Sequence, residues 1–460
     1  MKTMKRYLLA ALITATGSAQ ANSILDIYNL ALENDPLLKA DQAAYRAGLE
    51  NKTIGRAGLL PQINASASYT ISESTSGATV SEGVIVDDGS TTSDTDVVSW
   101  SVSLDQALID LNAWHIYQQG IALSDQAKAQ YSADQQSLIV RVAEAYFNVL
   151  RAVDNLEATM AEEKALEQQL QQTKQRFEVG LTPITDVHDA QAAFDTAQAA
   201  SLEARGQLGI QYESLEVLTG QAHDAIAPLS DEFPVVPPSP ANRHDWVEFA
   251  LENNFTLKAT SAAANAAEEQ AKAARANHLP TLSASASYTE TDTDTDIYNN
   301  PYNRSDSEGH SFGISLQVPL FSGLRTSGSR RQAYAQAMQA DENFNYQQRN
   351  VIQATRSLHL AVETGVARVK ARKQAIVSNE SAVKATQSGF EVGTRNLVEV
   401  LLAQRSLFQA RRDYSNALYD YIIQLISLRE AAGMLTPADI ERIDSFLLDA
   451  QTVRRSDYDV

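Results

Sequence analysis

The sequence contains no cysteine. Disulfide frameworks, thiolate metal sites and cysteine nucleophiles are excluded together, as is the residue an N-terminal lipid anchor requires. Basic residues are few: 37 Lys and Arg against 57 Asp and Glu give a net charge of −20. So acidic a chain argues against nucleic-acid partners, whose phosphates are neutralised by Lys and Arg. Aromatic residues make up only 7%, and the abundant Ala and Gln favour long helices over a large globular core. No apolar run is long enough to cross a bilayer as a helix. The seven histidines (His115, His188, His223, His244, His278, His310, His359) show no metal-ligand spacing. His-Glu-x-x-His, P-loop and Gly-x-Ser-x-Gly motifs are also missing. Neither an enzyme nor a cofactor is expected.

What is present begins with a basic n-region (Lys2, Lys5, Arg6), a short apolar core from Tyr7 to Thr16, and Ala19-Gln20-Ala21. Residues 1–21 read as a removable secretory signal, so the chain is expected to be exported. Beyond it the sequence repeats itself. Ala31-Leu32-Glu33-Asn34 returns as Ala250-Leu251-Glu252-Asn253, and the run from Leu60 to Thr70 returns as Leu279 to Thr289, both at an offset of 219. Phe177-Glu178-Val179-Gly180 returns as Phe390-Glu391-Val392-Gly393 at an offset of 213.

Four segments alternate with period 2. Ile63, Ala65, Ala67, Tyr69 and Ile71 interleave with Asn64, Ser66, Ser68, Thr70 and Ser72; Val98, Trp100, Val102 and Leu104 interleave with serines. The second copy offers Leu282, Ala284, Ala286, Tyr288, then Phe312, Ile314, Leu316, Val318, Leu320. Each run is about ten residues, the length of a tilted strand crossing a bilayer, with small hydroxyls on the opposite face. Between them, Ser72–Asp96 and Glu290–Gly309 read as long polar external loops. The run Thr291-Asp292-Thr293-Asp294-Thr295-Asp296 invites a calcium-loop reading. An EF-hand counted from Asp292 would need Gly and Glu where Ile297 and Asn303 stand, so that reading is rejected.

The remainder reads as helix. A 4-3 spacing runs through Leu138, Val142, Ala145, Val149, Ala152, Leu156, Thr159, Glu163, Leu166, Leu170, Thr173 and Phe177. This is a heptad seam, weak at Thr159 and Glu163. A second stripe (Ile139, Ala143, Tyr146, Leu150, Val153) makes the same helix apolar on another side. No proline interrupts Ala107 to Phe177, which predicts a helix of roughly 100 Å with neighbours on both sides. Gly180-Leu181-Thr182-Pro183 and Gly393-Thr394-Arg395-Asn396 break the helices as hairpin tips. The expected division is a signal at 1–21; a first repeat at 22–220, with strands 61–72 and 97–106 and a tip near 180–184; a proline-rich linker at 221–243; a second repeat at 244–433, with strands 280–290 and 310–320 and a tip near 391–396; and a tail at 434–460.

Strands in a bilayer must close into a barrel, and small membrane barrels start at about eight strands. Four strands therefore belong either to a soluble sheet, wet on one face, or to a barrel shared among chains. The hydroxyl face and the export signal favour sharing. Two chains would leave too narrow a lumen, whereas three would give about twelve strands.

The mature chain resembles the TolC family of outer-membrane efflux and secretion channels over about 400 residues. The resemblance rests on the doubled Leu-Pro-x-x-x-Ala-Ser strand entries and on Ala145-Tyr146-Phe147-Asn148-Val149-Leu150. It rests also on Arg176 through Val187, and on Gly393-Thr394-Arg395 followed by Val398-Glu399-Val400-Leu401. It implies an α+β membrane protein in which a homotrimer forms a 12-strand barrel in outer-membrane lipid, four strands per chain, continued by a helical coiled-coil barrel through the periplasm. It implies a periplasmic adaptor protein and an inner-membrane ABC or proton-driven transporter as partners, and proteins, drugs or other small molecules as cargo. A general diffusion porin or a trimeric coiled-coil surface protein is the competing class.

The resemblance also places a gate. Asp186, with Thr185, matches the acceptor of a periplasmic latch, and Arg395 the donor. Phe390 falls where the family often has a tyrosine, so a hydroxyl link is expected to be lost. Glu399 matches the first acid of a pore constriction, and Leu402 replaces the second. Gly180, Leu181, Thr182, Gly393 and Thr394 lie at the tips expected to meet the adaptor.

Overall fold

The computed structural model describes residues 22–448, apart from Ala78, Glu82, Gly83, 88–90, Tyr298 and Asn299, together with 453–458. The expected signal at 1–21 lies outside the described residues. The described residues form two compact units, one built from 22–43, 131–255 and those from Gln348 on, the other from those within 44–130 and 256–347.

The second of these units contains the main sheet. Strands β1 (Gln62–Ser76), β4 (Thr91–Ile109), β6 (Thr281–Ile297) and β7 (Asn300–Gln317) lie antiparallel in the order β1-β4-β6-β7, with the small hairpin β2 (Thr79–Ser81) and β3 (Val84–Asp87) between the first two in sequence. The register pairs Ala67 with Trp100, Trp100 with Glu290 and Glu290 with Glu308. One face therefore carries Ile63, Tyr69, Val102, Leu104, Tyr288, Phe312 and Ile314. The opposite face is a field of hydroxyls, with Ser66–Ser101 at 2.9 Å and Ser68–Ser99 and Ser287–Ser311 at 2.8 Å. Among the described residues, β1 and β7 are the unpaired edges of this sheet.

The polar stretches are not the long loops expected of them. Pairing continues to Ser76↔Thr91 in the first hairpin and to Ile297↔Asn300 in the second. The Thr-Asp run is itself a period-2 pattern, and threonine suits a pleated strand. Asp292, Asp294 and Asp296 fall on the apolar-bearing face beyond Tyr288, the threonines on the other, and Arg304 pairs with Asp292 and Asp306. Strand β4 also claims Ala107, so the long helix starts later than predicted.

Two helix pairs complete this unit. Helix α2 (Pro36–Ala57) meets the first turns of α3 (Leu111–Glu178) backbone to backbone. A Cβ on Gly120 would lie 2.4 Å from the Asn51 carbonyl oxygen, and one on Gly55 2.8 Å from that of Ile116. In the second repeat, α6 (Phe255–Ala276) meets α7 (Arg325–Glu391) through Ala271, Ala274 and Ala333. At the repeat offsets, Ala274 and Ala333 stand for Gly55 and Gly120. The contact is conserved in position, and one methyl looser on each side.

The other unit contains the main apolar core. It is built on α1 (Ile24–Asn34), the rest of α3, α4 (Ile184–Thr219), α5 (Arg243–Asn253), the distal part of α7, α8 (Leu397–Ala431) and α9 (Pro437–Asp444). Both stripes of α3 are buried, Leu138, Val142, Val149 and Leu156 on one and Ile139, Ala143, Tyr146 and Leu150 on the other. The weak seam positions are satisfied locally: the Thr159 hydroxyl donates to the Leu156 carbonyl at 2.9 Å, and Glu163 accepts from Ser201. Asp35 caps α2 through the Leu37 and Leu38 amides and accepts from Arg141 at 2.6 Å. The linker is held by Tyr421, whose hydroxyl donates to the Val236 carbonyl at 2.8 Å. The expected tail is structured: after α9, strand β8 (Val453–Arg454) pairs with β5 (Ala225–Ile226).

Candidate functional site

At the first tip, α3 ends on Gly180, whose φ of +76° is the left-handed conformation glycine adopts without cost. The Leu181 amide closes the turn on the Arg176 carbonyl at 2.8 Å. The Thr182 hydroxyl then donates to Asp186 in the first turn of α4, where a carboxylate also meets the positive end of the helix. Thr185 is exposed beside it.

The second tip repeats this geometry with different chemistry. Gly393 has φ +79°, and the Thr394 amide returns to the Gly389 carbonyl at 2.8 Å. Asn396 caps α8 by accepting from the Glu399 amide at 2.9 Å. The Arg395 guanidinium donates to the Glu399 carboxylate at 2.6 Å. Its aliphatic stem folds over Gly389, where an added Cβ would come within 2.7 Å of the Arg395 Cγ. At the offset of 213, Thr182 corresponds to Arg395 and Asp186 to Glu399. Each tip thus carries one link of spacing four, hydroxyl to carboxylate in the first and guanidinium to carboxylate in the second.

Within one chain, the expected latch residues have partners on their own tips. Among the described residues no ion pair joins Arg395 to Asp186. Latch donor and constriction acid, assigned to separate roles, are a pair.

Behind the tips, residues from four helices form a small separate core. Leu170, Ala190 and Leu397 are buried, with Phe194, Phe390 and Leu401 packed on them. Phe390 lacks a hydroxyl, but its ring face is occupied: the Arg176 guanidinium lies 4.8 Å from the ring centroid. Sequence reasoning missed this contact, which joins helices more than 200 residues apart. Leu402 is exposed and, with Val398 and Leu401, lines a groove of about 530 Å³ walled by Ala192, Ala193 and Ala197 of α4. Gly180, Leu181, Gly393 and Thr394 stand on the exposed turns.

Residues 27–221 and 246–434 match the family described as outer membrane efflux protein. The chain belongs to this family. The two matched segments coincide with the two repeats. Among curated relatives of this efflux family member, outer membrane protein TolC of Vibrio cholerae is 36% identical over 448 residues, covering 97% of this chain and 98% of the relative. Alkaline protease secretion protein AprF of Pseudomonas aeruginosa is 32% identical, covering 99% and 94%. The solved structure of CusC shares the fold with a TM-score of 0.75 at 18% identity, covering 90% of this chain and 92% of its own. This outer membrane efflux protein is an efflux and secretion duct of the Gram-negative outer membrane.

Proposed function

We propose that three copies of the chain form the duct, and that it is the exit of a tripartite export system. A periplasmic adaptor and an inner-membrane ABC or proton-driven transporter would load it, and cargo would pass without chemical change. The observation that carries this reading is the four-stranded sheet. Its edges β1 and β7 are unpaired, and in a bilayer every such amide and carbonyl needs a partner. Neighbouring copies supply them, β7 of one against β1 of the next, giving twelve strands from three chains. The apolar face then meets outer-membrane lipid and the hydroxyl face lines the lumen.

The helical hairpins continue the passage into the periplasm. Their tips (Gly180, Leu181, Thr182, Gly393, Thr394) meet the adaptor. Thr185, Asp186, Arg395 and Phe390 govern closure, with Glu399 and Leu402 at the narrowest point. Relatives named for protease secretion and for efflux support a cargo range that includes polypeptides. A diffusion porin has no use for helical hairpins of this length. The deciding measurement is the mass of the detergent-extracted protein by light scattering together with its strand content. A trimer is expected. A monodisperse monomer that keeps its full strand content would overturn the shared barrel.

A further inference from the structure

We propose that Arg176 is the residue that ties the first hairpin to the second, through the face of Phe390. The proposal rests on the reading of the tips as the gate. Arg176 lies in the last turn of α3 and Phe390 in the last turn of α7. The guanidinium carbon is 4.8 Å from the ring centroid, inside the range at which a cation is attracted by an aromatic face. The Arg176 Nε is buried without a hydrogen-bond partner. The ring is held from behind by the small core of Leu170, Ala190 and Leu397. Arg395, by contrast, is committed to Glu399 on its own tip.

Opening a helical duct at its tips requires the two hairpins to part. A link within one hairpin survives that motion; a link between hairpins does not. Arg176–Phe390 is of the second kind. It also accounts for a phenylalanine at a gate position: the ring needs no hydroxyl if its face is what binds. Arg176 is therefore a positioning residue for the closed state.

The test uses the full-length protein in planar bilayers, with assembly of every variant checked on unboiled gels. Arg176→Gln removes the cation and Phe390→Leu removes the face while keeping an apolar side chain; Phe390→Tyr keeps the face. Three such links per duct predict about a tenfold or larger rise in open fraction for each of the first two variants. Phe390→Tyr is expected to stay near wild type. The double variant Arg176→Gln/Phe390→Leu should open no further than either single one, because both remove the same contact. Should Arg176→Gln fail to assemble, Arg176→Met, which also removes the cation but keeps an unbranched stem, paired with Phe390→Leu supplies the same cycle. Opening that multiplies in the double variant would overturn the proposal, as would wild-type closure of Arg176→Gln. If Arg395→Ala opens the duct while Arg176→Gln does not, this link alone is refuted. If neither opens it, the gate itself lies elsewhere.

Discussion

The Arg395 guanidinium and the Glu399 carboxylate are 2.6 Å apart, four residues along one tip. A positive group and a negative group that close must be considered as one electrostatic object. Together they present almost no net charge to a passing ion, whereas either one alone would present a full charge. In the duct proposed above, with Leu402 in place of a second acid, the narrowest point would carry little fixed charge.

Opposite shifts in ion selectivity follow from separating the pair. Arg395→Ala exposes three carboxylates in a trimer, so the reversal potential under a salt gradient should move toward cations. Glu399→Ala exposes three guanidinium groups and should move it toward anions. The link itself is solvent-exposed and is worth at most about 1 kcal/mol per copy. Both variants leaving the reversal potential unchanged would place the constriction away from these residues.

Arg141 is the partner of a carboxylate that is only 4% exposed. Arg141→Met keeps the stem's packing and leaves Asp35 with the Leu37 and Leu38 amides alone. Breaking a buried pair from one side costs about 3–5 kcal/mol; because Arg141 is partly exposed, about 2 kcal/mol is expected. Denaturant titration in detergent measures it, and a loss under about 0.5 kcal/mol would mean that water solvates Asp35 in its place.

Gly120→Ala should destabilise, against the usual sign. In an open helix the exchange gains up to about 1 kcal/mol from helix propensity. Here the new methyl meets the Asn51 carbonyl, and the helices must part at a cost of about 1–3 kcal/mol. Ala333→Gly, at the equivalent site in the second repeat, loses propensity without gaining a contact and should cost about 1 kcal/mol. A higher melting temperature for Gly120→Ala would show that α2 and α3 are not in backbone contact.

His223 gives the fold a sensitivity to acid. Fully buried, its ring stands between the Asn22 amide at 2.7 Å and the Thr219 hydroxyl at 2.6 Å. Burial holds its pKa below the usual 6.5, partly offset by Asp224. The unfolded chain therefore takes up a proton as pH falls through 6.5 while the folded chain stays neutral, so stability declines from there down to the folded pKa. His223→Gln should flatten that decline below about pH 6.5. An unchanged slope would assign it to other groups.

Much of this was readable in the residues. The period-2 runs fall within or overlap β1, β4, β6 and β7, with Val318 and Leu320 beyond the end of β7; alternation alone decides which side of a pleat a side chain takes. Ser72–Asp96 and Glu290–Gly309 were misjudged because acid, Ser, Thr and Gly look like loop composition, although the alternation of Thr291 to Asp296 was itself the strand signal. The tip links had a signature too, the spacing of four in Thr182–Asp186 and Arg395–Glu399. It was hidden by assigning each member a role from a different part of the resemblance. Arg176 on Phe390 had no signature, since nothing local relates the ends of two helices so far apart in sequence.

The hydroxyl face of the sheet has a consequence for movement. A serine or threonine hydroxyl both gives and accepts a hydrogen bond, and serine pairs between β1 and β4 and between β6 and β7 are already satisfied by one another. In the shared barrel proposed above, a polypeptide or drug sliding along such a wall would exchange one weak partner for the next and meet no strong anchor at which to stall. Such a wall would suit traffic rather than recognition.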